Sequence, residues 1–469
     1  ALEIALADPN PATVFNPFGD GSHTNPATLD AITDKVALFK SNSRYDQINV
    51  TASGPLGQTT AGPTRLTFGG EFRRQLFKDI TQDATFSLAP IELSRNITTV
   101  FGELAVPLVS RKNRRPAAER LELSLGARFE DHSDAGSGLT PKLGILWEPL
   151  SGLSLRSTWS KSFKAPTLPN MAETRSFSGI IPVSAPLSEN GVMNVLVRTG
   201  KNADLRKERG ESWTIGADFM LPVPTGLGLA LTYFDVHVLD QILEPSFPVN
   251  IFDDPALTGL IDFTPTEAER AAVCARSIYV AQGSIVADCM EGSIGAIADL
   301  RLQNFAQVRT RGIDVVAKYD RHFAGGTLDI DLIGTYLFEY ARAKSPQSPL
   351  VDFVNTARFP LSRRLRAVAS WTFRDLEITT VVHHTDSYRD ISSQPNRRVG
   401  SWTTFDLQLT YDTGRQGHAW LDDLRLSVRA QNLFDRMPPF FNNPVGIGYD
   451  QENGDLLGRM VSISLHKKW

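Results

Sequence analysis

Val461-Ser-Ile-Ser-Leu-His-Lys-Lys-Trp469 is the last stretch of the chain, and its reading decides the fold. Successive side chains of a strand point to opposite faces, so Val461, Ile463, Leu465, Lys467 and Trp469 share one side. Ser462, Ser464, His466 and Lys468 share the other. An alternating strand that ends on an aromatic ring places that ring at a membrane boundary, with the Lys467 ammonium extended into water. A soluble protein rarely ends this way. Val461, Ile463, Leu465 and Trp469 are therefore expected to mark a C-terminal membrane-inserted strand.

The same period-two split recurs from about residue 64 onward. Leu121, Leu123, Leu125, Ala127 and Phe129 oppose Glu122, Ser124, Gly126, Arg128 and Glu130. Trp213, Ile215, Ala217 and Phe219 oppose Thr214, Gly216 and Asp218, and Leu424, Leu426, Val428 and Ala430 oppose Arg425, Ser427, Arg429 and Gln431. A soluble sandwich would alternate too. The connections discriminate: short turns near 110–118, 149–151, 222–225, 321–326, 374 and 413–421 interleave with others near 76–93, 132–138, 163–208, 242–301, 342–360, 389–399 and 435–456. Most of the second set are long. Long loops at one end and short turns at the other are the pattern of an outer-membrane barrel. Several strands, such as 302–320, exceed soluble lengths, and Trp147, Trp159, Trp213, Tyr319, Trp371 and Tyr411 fall near strand ends as an interfacial girdle would.

Composition supports a folded chain of 469 residues, with 41% hydrophobic and 21% charged residues. The net charge of −4 lacks the basic excess that nucleic-acid binding requires, so no nucleic-acid partner is expected. The basic run Arg111, Lys112, Arg114, Arg115 reads as a solvated turn. No stretch of 18 apolar residues is present, which excludes helical spans and leaves a barrel open. Cys274 and Cys289 are the only cysteines and lie in one long polar connection, which fits a disulfide pinning an extracellular loop in an oxidising compartment; two free thiols are the alternative. His383 and His384 are strand neighbours and point apart, so they do not chelate one metal. Asp329 and Asp331 share a face but read as lumen carboxylates. No catalytic site, metal site or cofactor is expected.

Particular stretches carry a family likeness. Glu103-Leu-Ala-Val-Pro-Leu108, Leu123-Ser-Leu-Gly-Ala-Arg-Phe-Glu130 and Thr140-Pro-Lys-Leu-Gly-Ile-Leu-Trp-Glu-Pro149 resemble three successive barrel strands of TonB-dependent receptors. Arg156-Ser-Thr-Trp-Ser-Lys-Ser-Phe-Lys-Ala-Pro-Thr167 is similar to the next strand and its exit into an extracellular loop. Asp204–Glu208, Ser212–Asp218, Tyr233–Asp235 with Asp240–Ile242, Arg311–Asp314, Asn432–Asp435 and Gly458–Met460 continue the likeness in order over about 64–469.

The resemblance implies an all-β antiparallel transmembrane barrel. About 15–16 strands of the family's 22 are expected here, with a doubtful one at 1–8 and no plug. Residues 1–63 are expected to be a mid-barrel segment dominated by a long extracellular loop at 10–45, and 64–469 the C-terminal strands; plug and first strands would lie upstream. It further implies uptake of a scarce nutrient, a siderophore, carbohydrate or similar, energised from the inner membrane. Expected partners are outer-membrane lipid, the nutrient, the barrel assembly machinery, and TonB through the plug region. Glu103, Glu122, Arg128, Arg156, Asp218, Asp314, Arg425 and Arg429 are candidate plug-facing lumen charges, or simply wet ones. Phe177, Tyr279, Tyr388, Phe440 and Phe441 are loop aromatics able to stack on a ligand or pack within their own loops. A passive porin of about 16 strands and a secreted all-β carbohydrate-binding or hydrolytic protein are the rival readings.

Overall fold

A computed structural model describes residues 2–17, 24–33, 38–82, 88–185, 191–221, 226–245, 252, 257–281, 284–285, 294–343, 348–391, 393, 395–414, 422–443 and 446–468. Among them, fifteen strands run in chain order through one antiparallel sheet. They are Leu38–Gln58, Pro63–Gln82, Ile91–Val109, Arg120–His132, Gly136–Leu150, Leu153–Lys164, Glu208–Met220, Leu227–Leu243, Gln303–Phe323, Gly326–Ala343, Arg363–Phe373, Leu376–Thr385, Trp402–Asp412, Leu424–Gln431 and Met460–Lys467. The short Val351–Asp352 strand adds to the edge of Gly326–Ala343. No ladder joins the first of these strands to the last among the described residues.

The apolar side of the wall is exposed. Leu125, Leu143, Ile145, Trp213 and Ile215 all lie on the protein surface, and Ile463 is 71% exposed. A sandwich would bury this set against a second sheet, whereas a barrel turns it to lipid. Indoles anchor the short-turn end: Trp147 Nε1 donates to the Ala117 carbonyl at 2.9 Å and Trp371 Nε1 to the Gly325 carbonyl at 3.1 Å. At the other end the Trp159 and Trp213 rings pair across the ladder, 6.2 Å between centroids. Two aromatic belts thus bracket the lipid-facing band.

Packed protein core lies instead in the long connections. The 165–207 connection carries the hairpin Ser176–Ser184 and Val192–Gly200; the 244–302 connection carries the helix Glu267–Arg276 and four short strands. These knit into one six-stranded sheet. Ala296–Asp299 runs parallel to Val195–Arg198, and Ile278–Tyr279 parallel to Phe177–Ser178. Alternation gives this sheet two apolar faces. Val195, Val197, Ala296, Ala298 and Leu300 fill one, and Leu196, Val273, Tyr279, Ile294 and Ile297 fill the other. A capping box starts the helix, with Thr266 and Glu269 exchanging side-chain to backbone bonds. A second loop cluster packs Ala357, Leu361, Tyr388, Val399 and Phe441. Asp450 holds it together, accepting from the Arg358 amide at 2.9 Å and Asn453 Nδ2 at 2.8 Å.

Two sequence expectations change. Residues Leu2–Leu6 form a helical turn rather than a strand. Leu38–Gln58 is a 21-residue strand that begins inside the stretch read as loop and adds a strand before residue 64. Its upper half, with Asn42, Ser43, Arg44 and Asp46, is polar on both faces and hides the alternation. The hairpin that follows is closed by Thr59, whose Oγ1 donates to the Gly62 and Pro107 carbonyls at 2.9 and 2.8 Å. Gly62 takes φ 145° there, a conformation other residues avoid. Trp469, expected at the boundary, lies outside the described residues.

Candidate functional site

The lumen face of the wall carries ion pairs set by strand register. Arg156 Nε donates to Asp218 Oδ2 at 3.0 Å, and its Nη2 donates to Thr232 Oγ1 at 2.5 Å on the next strand. Gly216 leaves room for this, because a Cβ there would meet the guanidinium carbon at 2.8 Å. Arg128 pairs with Glu130 and approaches Glu71 at 3.9 Å, and Glu71 also holds Arg73 at 2.9 Å. Glu103 accepts from Ser124 (3.1 Å), Glu122 from Arg120 (2.9 Å), and Asp314 from Thr335 (2.6 Å). Arg425 grips Asp412 at 2.9 Å. Arg429 and His383 converge on Asp406 at 3.6 and 3.5 Å, while His384 turns away to Thr403. All eight candidate lumen charges therefore have partners on the wall itself. Their need for partners was legible; the partners required the register.

Above these pairs a cavity of about 560 Å³ opens between the upper wall and the 165–169 segment. Arg95, Glu130, His132, Phe163 and Leu168 line it. Arg95 is buried and donates to Asp134 Oδ1 at 2.6 Å. His132 Nε2 lies 3.1 Å from Glu130, and its buried Nδ1 has no partner among the described residues. A polar atom buried without a partner is costly to desolvate.

The six-stranded loop sheet, which we term the cap, holds a second charged group. Arg301 is 6% exposed and donates to Asp299 Oδ1 and Oδ2 at 2.8 and 2.6 Å, with Arg198 at 3.4 Å on the same carboxylate. Burial pushes the Asp299 pKa up, but the Arg301 hydrogen bonds and the two guanidinium charges outweigh it and hold the group below the usual carboxylate range. None of these residues stood out in the sequence, since Arg198 and Arg301 meet only through the parallel pairing of two separate connections.

The five loop aromatics divide. Tyr279 is packed in the cap core, and Tyr388 and Phe441 in the second loop cluster, so these three serve packing rather than presenting a free ring to ligand. Burial, with the charges of Asp450 and Asp390, also pushes the Tyr388 phenol up. Phe177 is half-buried beside Gly200, and Phe440 is 69% exposed. Cys274 sits half-buried against the cap core on the helix Glu267–Arg276; its expected partner Cys289 lies outside the described residues. No group of three or more His, Cys, Asp or Glu side chains converges to hold a metal among the described residues.

This architecture has relatives. A family model for the TonB dependent receptor-like β-barrel matches residues 8–433. The probable TonB-dependent siderophore receptor PirA of Acinetobacter baumannii is 25% identical over 244 residues, which cover 50% of this chain and 29% of that protein. The crystal structure of PirA from Acinetobacter baumannii superposes with a TM-score of 0.60 at 18% identity, over 91% of this chain and 55% of that one. A ferric enterobactin receptor structure from Pseudomonas aeruginosa gives 0.58 at 16% identity, over 92% and 54%. The chain thus spans about half the length of these structures. With an alternating wall whose apolar face is exposed, loops gathered at one end, and a family match over most of its length, the chain belongs to the TonB-dependent receptors of the bacterial outer membrane, a family of transporters.

Proposed function

We propose that this chain forms barrel wall and extracellular cap of a receptor that takes up a ferric siderophore, energised from the inner membrane through TonB. The observation that carries the reading is the cap: two connections from different strand pairs are knitted into one sheet, with a cavity of about 560 Å³ near its base. Passive diffusion needs no such roof, whereas capture of a scarce solute needs a built surface above the pore. The siderophore assignment draws on the relatives, PirA and the ferric enterobactin receptor, whose names carry that ligand class.

In this reading the described strands belong to a 22-stranded barrel, and polypeptide beyond this chain supplies the plug that TonB engages. The relatives' length, about twice the span matched, leaves room for both. The lumen pairs Arg156–Asp218 and Arg429–Asp406 then face that plug. Phe177 and Phe440 remain the candidate ligand aromatics. Cys274 and Cys289 form a disulfide that pins the 244–302 connection, and Val461, Ile463 and Leu465 present the strand that the barrel assembly machinery receives.

The test is uptake of ⁵⁵Fe-labelled ferric siderophore by iron-starved cells. Disruption of the gene, loss of TonB, or addition of a protonophore should each abolish the receptor-dependent component. Uptake that persists under protonophore, together with a steady open conductance of the purified protein in planar bilayers, would instead identify a passive porin.

A further inference from the structure

The upper lumen holds guanidinium groups that the wall leaves uncompensated. One row of paired positions fixes the face: Arg156, Gly216, Thr232, Asp314, Thr335 and Arg364 follow one another across successive strands. Side-chain hydrogen bonds join Arg156 to Thr232 and Thr335 to Asp314 along that row. Arg364 therefore stands on the lumen face, and Arg366, two residues further along the strand Arg363–Phe373, shares it. Leu365, between them, is exposed on the opposite, lipid side.

A cavity of about 370 Å³ lies between this part of the wall and the second loop cluster, lined by Thr335, Leu337, Arg358, Arg364, Glu452 and Asn453. Its two guanidinium groups are positioned by neutral acceptors. Arg364 Nη2 donates to Asn453 Oδ1 at 2.5 Å and to the Glu452 carbonyl at 3.2 Å, and Arg358 Nη2 donates to Asn443 Oδ1 at 3.1 Å. The Asn453 amide is itself held, because its Nδ2 donates to Asp450 Oδ2 at 2.8 Å and to the Phe359 carbonyl at 3.3 Å. Arg358 adopts φ 67°, a costly conformation for a residue with a side chain, and the bond from its amide to Asp450 helps to hold it there. Neutral acceptors orient a guanidinium without cancelling its charge.

Elsewhere on the lumen face the arginines are neutralised. Arg73, Arg120, Arg128, Arg156 and Arg425 each have a carboxylate at ion-pair distance. Arg358, Arg364 and Arg366 have none among the described residues, although the Glu452 carboxylate belongs to the same cavity and Asp314 to the same row. Arg366 pairs across the ladder with His383, and His383 and Arg429 share the single carboxylate of Asp406. Positive charge thus accumulates on one side of the lumen. Alternate residues of a strand are roughly 7 Å apart, so Arg364 and Arg366 are spaced for an extended anion and not for a point ion.

We propose that Arg358, Arg364 and Arg366 select a ferric chelate of net negative charge. This rests on the siderophore reading above and adds the charge class of the ligand to it. Three catecholate arms on Fe(III) leave three surplus negative charges, whereas three hydroxamate arms leave the complex neutral. Oxygens of the anionic complex accept charge-assisted bonds from a guanidinium, and those bonds are about twice as strong as neutral ones. The cavity takes one arm beside Arg358 and Arg364, and Arg366 meets the body of the complex on the open lumen face.

The full-length receptor, purified in detergent, would be titrated by tryptophan-fluorescence quenching with the Fe(III) complexes of a tricatecholate and of a trihydroxamate chelator. Wild type is expected to bind the anionic complex at least about tenfold more tightly, with an affinity that falls as salt rises. Arg366→Gln is expected to weaken that binding about tenfold, and Arg364→Gln with Arg366→Gln about a hundredfold, while trihydroxamate binding stays within about twofold. Arg366→Lys restores most of the loss. Heat-shifted gel migration checks folding; Arg366 bonds no group among the described residues, so if the double variant fails that check the single variant decides. Tricatecholate binding within twofold of wild type in Arg366→Gln, or a wild-type preference for the neutral complex, overturns the proposal and leaves the siderophore reading in place. Unchanged affinity together with new permeability of cells to large antibiotics assigns these arginines to plug contacts and also overturns it. If neither ferric complex binds, the siderophore reading falls and this proposal falls with it.

Discussion

Leu196→Ala separates the cap from the wall beneath it. Leu196 is 0% exposed, pairs with Ile180 on one side and Ile297 on the other, and packs against Val273, Tyr279 and Ile294. Removing three carbons forfeits roughly 2.4 kcal/mol of transfer free energy at about 0.8 kcal/mol each. The cavity left behind raises the total to about 3–5 kcal/mol, since a sheet centre flanked on both sides collapses little. An opening equilibrium shifted that far raises the open fraction of the cap by about 150- to 4000-fold. The barrel ladders, held by separate hydrogen bonds, should not follow. Trypsin digestion at low enzyme tracks the open population, and cleavage after Arg198, Lys201 or Arg276 should accelerate accordingly while heat-shifted migration stays normal. Ile215→Ala, on the lipid face of the wall, is the matched control and should leave the cap rate unchanged. A cap cleavage rate within threefold of wild type in folded Leu196→Ala protein would refute the claim that the two connections share one core.

The two faces of the wall should respond oppositely to one charge. Leu125→Arg, outward on the strand Arg120–His132, should cost about 2–4 kcal/mol in urea unfolding from lipid vesicles, whereas Ser124→Arg places its guanidinium beside Glu103 and should cost less than about 1 kcal/mol. Equal costs would mean that the faces are assigned wrongly. Asp299 has its pKa depressed in the folded cap, so its stabilisation is complete above the ordinary carboxylate range and is lost as pH falls through the lowered value. Cap proteolysis by an acid-active protease should therefore rise below about pH 4 and lose most of that rise in Asp299→Asn, whose cap is already weakened at neutral pH. Closing a loop of about 15 residues corresponds to ~3 kcal/mol, so reduction or Cys274→Ser should speed cleavage within the 244–302 connection and leave the 165–207 connection less affected. Identical cleavage patterns with and without reductant would argue against the Cys274–Cys289 bond.

Which parts of this protein the sequence alone decides follows from the range of the interactions involved. Alternation is local: each of Leu121–Glu130 and Trp213–Met220 declares two unlike faces without reference to any partner, and turn lengths add the two unlike ends. Those two signals suffice for an antiparallel wall with lipid outside. Where the local pattern is polar on both faces, as in Asn42–Asp46, the strand goes unseen. Pairing is not local. That Arg156 meets Asp218 depends on the register of Leu153–Lys164 against Glu208–Met220, and a one-residue slip would send Asp218 to the lipid side. The cap is further removed still. Ala296–Asp299 finds Val195–Arg198 about a hundred residues away through a parallel pairing, and that meeting adds Ile297 to the cluster in which Tyr279 packs and brings Arg198 to Asp299. Loop aromatics look alike in sequence, because whether a ring packs or faces water is settled by what folds over it, and that information resides in contacts between distant segments.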